Sequence, residues 1–261
     1  MSAAAAPGAP APSLEVEGGR ATIRLRRPDK RNRIEPADLV ALAGHLGAVD
    51  ADPTVRVLTL EAEGTSWCSG FHLGALAKSE RPTVSFGDVC DRLEGLRVPT
   101  IAVLQGHVHG GGTDLAVACD LRVGVHGLVL GMPAARIGLQ YYASGLRRFV
   151  ERIGPDATKR LFLTAETVPA EELLRLGYLH ELVAPEALAG RAAELTGAVA
   201  ALAPLAVART KAAINLLARG GPSASDLEAI EAGHRDTLRS QDHREGLAAV
   251  REGRPARFEG C

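Results

Sequence analysis

Aromatic residues are scarce in this chain: one tryptophan, three tyrosines and five phenylalanines make up 3% of it. That argues against a stacking platform for single-stranded nucleic acid, which draws on many aromatic rings. A surplus of positive charge is missing too. The 30 Lys and Arg residues face 31 Asp and Glu residues, for a formal net charge of -1. No basic surface is left to neutralise a phosphate backbone, so no nucleic-acid partner is expected. Cysteine is limited to Cys68, Cys90, Cys119 and Cys261, none in a C-x-x-C pair. A disulfide scaffold is thereby excluded, and reduced thiols in the cytoplasm are expected. No apolar run approaches the roughly 18 residues of a membrane span, and no membrane partner is expected. Residues 1–13, rich in Ala, Pro and Gly and free of Lys and Arg, read as a disordered arm rather than a signal peptide.

What is present is an aliphatic chain with 46% hydrophobic residues and 29 glycines. It is long enough for one sizeable core with an appendage. Short apolar runs at 14–16, 21–26, 55–62, 101–104, 121–125 and 128–130 read as strands. Helical spacing appears at 36–49, 86–96, 113–119, 145–152 and 157–163. From Pro185 the pattern is wholly helical, over about 186–203, 205–217, 225–238 and 243–251. An α/β core over 14–200 with a helical module over 201–261 is the expected organisation.

Two segments carry the chemistry. Trp67-Cys68-Ser69-Gly70-Phe71-His72-Leu73 and Gln105-Gly106-His107-Val108-His109-Gly110-Gly111-Gly112-Thr113-Asp114 each put glycine where an apolar strand ends. Glycine lets backbone approach a ligand and lets N–H groups point outward. Two such turns, each following a strand, can aim two N–H donors at one oxygen, the arrangement of an oxyanion hole. The His107/His109 pair has the same-face spacing of metal ligands but no carboxylate or C-x-x-C to complete a site, so no metal is expected. Arg147, Arg148, Arg152, Lys159 and Arg160 read as exposed helix charge.

The two glycine turns, their separation and the helical tail resemble the crotonase (enoyl-CoA hydratase/isomerase) superfamily. The Arg27-Pro28…Asn32 loop, Cys119-Asp120-Leu121-Arg122, Pro133–Gly138 and Ser240–Gly246 are similar to further stretches of that family. The resemblance implies a spiral of ββα turns, a homotrimer or a pair of trimers, and an acyl-CoA or acyl-ACP substrate. It implies no cofactor beyond the CoA or phosphopantetheine of that substrate. The thioester carbonyl would lie between the N–H groups of Phe71 and Gly111. Arg27, Lys30, Asn32, Cys68, Gly70 and His72 would line the path of the carrier.

Hydratases of this family use two glutamates as general acid and base. Aligned on the glycines, the first falls at Asp114 and the second at Ala134, which cannot move a proton. Tyr141 matches a site tyrosine of methylmalonyl-CoA decarboxylase, and Tyr142 an aspartate of dienoyl-CoA isomerases. His234 falls where polyketide β-branching decarboxylases hold a histidine. A site short of carboxylates suits decarboxylation, which needs an enolate trap and a proton donor (Tyr141 or His234) but no base. Lys78 is a candidate to hold the substrate carboxylate. Isomerisation or weak hydration through Asp114, and acyl-CoA binding without turnover, are the alternatives.

Overall fold

The computed structural model describes residues 11–77 and 83–261. The expected arm, up to residue 10, and Lys78 lie outside the described residues. Ser13 is already in a strand, and the carbonyl of Pro12 is hydrogen-bonded to the His45 ring at 2.9 Å.

Strands β1 (Ser13–Glu17) and β2 (Arg20–Leu25) form an antiparallel hairpin. Its turn residues Gly18 and Gly19 both have positive φ, as a two-residue hairpin turn of this hand demands. Helix α1 (Pro36–Ala51) begins with proline at its first position and a reciprocal Glu35–Asp38 cap. It buries Leu39, Leu42, Leu46 and Val49, one stripe at helical spacing.

The chain then repeats one unit. Strands β3 (Val57–Ala62) and β4 (Ser66–Cys68) lead into helices α2 (Leu73–Ala77) and α3 (Phe86–Gly95). Strands β5 (Thr100–Leu104) and β6 (His107–His109) lead into α4 (Gly111–Val117). Strands β7 (Leu121–Val125) and β8 (Val129–Gly131) lead into α5 (Ala143–Thr164). The first strand of each unit joins a six-stranded sheet and the second a four-stranded one. In the larger sheet β3 pairs with β5 and β5 with β7, all parallel; in the smaller, β4 pairs with β6 and β6 with β8. Each turn of chain thus advances both sheets by one strand, which is the ββα spiral that the resemblance implies. Strand β5 is buried along its whole length, as a central parallel strand covered on both faces should be.

Strand β9 (Thr167–Pro169) closes the small sheet, helix α6 (Ala170–Arg175) follows, and β10 (Glu181–Val183) closes the large one. The tail consists of α7 (Leu188–Ala200), α8 (Pro204–Ala218), α9 (Ala224–Arg239) and α10 (Gln241–Glu252). Proline at the start of α8 and the serine caps Ser223 and Ser240 set the breaks between them. No single described helix is long and apolar enough to cross a membrane. Cys68, Cys90 and Cys119 are buried free thiols, and Cys261 is exposed.

Candidate active site

The two glycine turns meet. The first is clamped to residues 31–34: Ser69 N donates to Arg31 O, Ile34 N to Gly70 O, and His72 N to Ile34 O, at 2.8–2.9 Å. The second is tied to β8 by Gly110 N donating to Gly131 O at 2.9 Å. A side chain on Gly70, whose φ is +88°, would place its Cβ 2.8 Å from Gly111 N and 2.9 Å from His109 O. One on Gly112 would strike Cys68 O at 2.8 Å. Backbone therefore packs on backbone here, and only glycine permits it. Burial pushes the Cys68 thiol up to about 12, so it stays protonated and acts as packing, accepting a hydrogen bond from Gly70 N at 3.4 Å. Among the described residues, the N–H groups of Phe71 and Gly111 have no hydrogen-bond partner, whereas the N–H groups of Gly70, His72 and Thr113 all do.

Asp114, on the first turn of α4, is completely buried. Its carboxylate takes Arg148 Nε at 2.9 Å on one oxygen. The other accepts from Arg148 Nη2 at 3.1 Å, from Tyr141 OH at 3.2 Å, and from Tyr142 OH by a short bond. Arg148 is completely buried and also bonds Asp91 at 2.5 Å. The expected exposed charge at 148 is therefore corrected: Gly145, Arg148 and Phe149 share the buried face of α5. Burial alone would weaken the Arg148 charge, but the bonds to Asp114 outweigh it and hold its pKa above the ordinary value. Burial, reinforced by the Asp114 charge, drives the Tyr141 phenol well up; Tyr142 moves the same way. Both rings stay protonated and point their O–H groups at the aspartate. Asp114 is thus an occupied carboxylate with every oxygen engaged, not the free proton shuttle that its position suggests. Ala134 is buried and supplies no second carboxylate.

Of the expected carrier-binding residues, Arg27 and Asn32 are structural in this chain. The Arg27 guanidinium is buried against Asp38, at 2.5 and 3.1 Å, and bonds Arg33 O. Asn32, left-handed at φ 53°, accepts from Arg27 N and donates to Glu63 O and Ser66 O. Between them they fold the loop that supports the first glycine turn. Lys30 and Arg31 are exposed on that loop. His72 is half-buried, with Nδ1 2.7 Å from Glu35. Glu35 is drawn below the usual carboxylate range by Arg33 and His72, against the opposing effect of burial.

Comparison with known proteins agrees with this fold. The family model for enoyl-CoA hydratase/isomerase matches residues 15–261. The chain belongs to the enoyl-CoA hydratase/isomerase family. It is 30% identical to the crotonyl-CoA hydratase of Syntrophomonas wolfei over 94% of this chain and 96% of that one. It superposes on the enoyl-CoA hydratase of Bacillus anthracis with a TM-score of 0.89 at 26% identity, covering 96% and 99% of the two chains. A putative enoyl-CoA hydratase from Streptomyces coelicolor gives 0.89 at 28% identity, over 100% and 98%.

Within this family fold, Phe71, Gly111, Asp114 and Tyr141 come together, but His234 does not join them. It is exposed on α9 and lines a groove with Thr237, Leu238, His243 and Leu247 of the tail helices. Arg148 is the site residue that sequence reading missed. The available signal was its spacing from Gly145 and Phe149, which puts it on the apolar stripe of its helix. Gly145 has its own reason to be glycine: a Cβ there would lie 2.5 Å from Tyr141 Cε1 and 2.9 Å from Asp114 Oδ2. Gly145→Ala is expected to lower stability by about 1–3 kcal/mol through overpacking. A urea titration checks this; an unchanged midpoint would mean that the Tyr141–Asp114 contact is loose.

Proposed function

We propose that this chain decarboxylates a β-carboxyacyl thioester, or its vinylogous analogue, carried on CoA or on the phosphopantetheine of a carrier protein. One observation carries this reading: among the described residues, the site offers the unpartnered N–H groups of Phe71 and Gly111 but no unpartnered carboxylate. In the proposed step the bond from the α-carbon to the carboxylate breaks. Its electron pair forms the enolate, the thioester oxygen takes the negative charge, and CO₂ leaves. Phe71 N–H and Gly111 N–H stabilise that oxygen, where one such donor is typically worth about 10²–10³ in rate. The α-carbon then takes a proton. We assign the donor role to solvent water, because the O–H groups of Tyr141 and Tyr142 are both turned to Asp114; the hydroxide left behind is neutralised in bulk solvent. Removal of an anionic side chain from position 134 lessens repulsion of the substrate carboxylate.

Hydration has support from the relatives' names. It needs a carboxylate free to position and activate water, however, and Asp114 is held by Arg148, Tyr141 and Tyr142. A homotrimer or paired trimers in the cytoplasm completes the proposal. Exposed Ile214, Leu217, Leu227, Leu238, Leu247 and Val250 on α8–α10 support a protein partner for that module.

Mass spectrometry of crotonyl-, methylmalonyl- and 3-methylglutaconyl-CoA after incubation with the protein tests the reading. The expected result is loss of the mass of CO₂ from a carboxylated substrate and no substantial gain of water on crotonyl-CoA. Rapid addition of water to crotonyl-CoA without loss of CO₂ from the others would overturn it.

A further inference from the structure

The few aromatic residues of this chain are pooled at one place. Phe71 and Phe86 meet edge to face, with centroids 6.2 Å apart and planes at 71°. Tyr142 stacks on Tyr141 at 4.5 Å, Tyr141 meets Phe162 at 5.3 Å, Phe162 meets Phe149 at 5.0 Å, and Phe149 lies 6.3 Å from Tyr178. Seven of the chain's nine aromatic rings thus fall into two strings. The strings converge at the start of α3. A Cβ on Gly111 would meet the Phe86 ring at 2.8 Å, and one on the adjacent Gly87 would meet Tyr142 Cε2 at 3.2 Å.

Burial divides these rings into two groups. Tyr141, Phe149, Phe162 and Tyr178 are buried and serve the core. Phe71, Phe86 and Tyr142 are only partly buried, although each is attached to that core. A folded chain with so few aromatic side chains gains by burying each one fully. Here three are left half-open: Phe86 lies against Gly111, Phe71 against Phe86, and Tyr142 against Gly87. The phenol O–H of Tyr142 is turned to Asp114, so what remains beside Gly87 is ring carbon. An edge-to-face Phe71–Phe86 pair beside the half-open Tyr142 ring fits a planar π-system better than a flexible alkyl chain, because ring quadrupoles reward such geometry beyond area alone.

We infer that the acyl group this site accepts is aromatic: an aryl or aryl-conjugated acyl thioester, seated between Phe71, Phe86 and Tyr142. This rests on the thioester reading above and narrows its substrate class. An aryl group conjugated to the α-carbon also spreads the charge of the enolate, an aid to a site without a free carboxylate.

The test is calorimetric binding of benzoyl-, cinnamoyl-, butyryl- and crotonyl-CoA to the full chain. The aryl thioesters are expected to bind about tenfold more tightly than the alkyl and alkenyl ones. Phe86→Leu is expected to bring that ratio close to one, whereas Tyr142→Phe, which keeps the ring, preserves it. Equal or tighter binding of butyryl- and crotonyl-CoA by the unaltered chain overturns the aryl preference and leaves the thioester reading standing. If none of the four binds, and neither free CoA nor the same acyl groups on a carrier protein's phosphopantetheine bind, the thioester reading itself falls, and the inference with it.

Discussion

Arg148→Met should be the most destabilising single substitution at the site, costing about 3–5 kcal/mol. The reason is the aspartate that it abandons. Asp114 is completely buried, and two of its four side-chain hydrogen bonds come from Arg148. Removing the guanidinium leaves a negative charge in the interior with only two phenols to solvate it. The cost is the uncompensated charge rather than the worth of the ion pair, because desolvation of both partners offsets much of their attraction. A second substitution separates these effects. Asp114→Asn in the Arg148→Met background removes the stranded charge yet keeps an acceptor for Tyr141 and Tyr142. The double variant should therefore recover a large part of the loss. Urea unfolding of the three proteins measures it. A loss below about 1 kcal/mol for Arg148→Met, the range of an exposed ion pair, would mean that the charge is not buried in solution.

The largest effect on rate should come from removing the Gly111 N–H. Gly111 is the first residue of α4, where a helix has no use for its own N–H and where proline is accepted. Gly111→Pro deletes the donor, but the added ring would press on Phe86. The comparison is therefore best made in a Phe86→Ala background, with and without Gly111→Pro. The turnover of any thioester that the chain processes should fall about 10²–10³-fold on adding the proline. Circular dichroism should show the fold retained. A fall of less than about threefold, with the fold intact, would place the enolate oxygen elsewhere.

The spiral was legible where elements are long or strongly punctuated. Proline and an apolar stripe at helical spacing mark α1, and a continuous apolar run marks β3, so both can be read from the sequence within a few residues. Strands β4, β6 and β9 cannot be read in this way. Each has three residues, too few to display a two-residue period, and exists because a neighbouring strand is already in place. Helix α5 reads as two pieces because Gly154, at φ 77°, and Pro155 interrupt it. The site divides along the same line. Gly70 and Gly112 are visible in sequence because close backbone contact restricts those positions to one residue type, and Gly111 because the Phe86 ring lies against it. The role of Asp114 is not visible, since its partners lie 27, 28 and 34 residues downstream. Local spacing places the carboxylate at the turn but cannot show that Arg148 and two phenols consume it. For Arg27 and Asn32 the same holds: a polar loop residue looks free to meet a ligand until its fold-stabilising partners are known.

The central claim is that this site stabilises an enolate without a free carboxylate base. Incubation in deuterated water tests it most directly, with butyryl-CoA and a β-carboxyacyl-CoA such as methylmalonyl-CoA followed by mass spectrometry. The account predicts no enzyme-dependent deuterium in butyryl-CoA, because the Asp114 carboxylate is held by Arg148, Tyr141 and Tyr142 and is not free to remove its α-proton. It predicts loss of CO₂ from the carboxylated thioester, with solvent deuterium in the product. Rapid wash-in of deuterium to butyryl-CoA would show a working base and contradict the account.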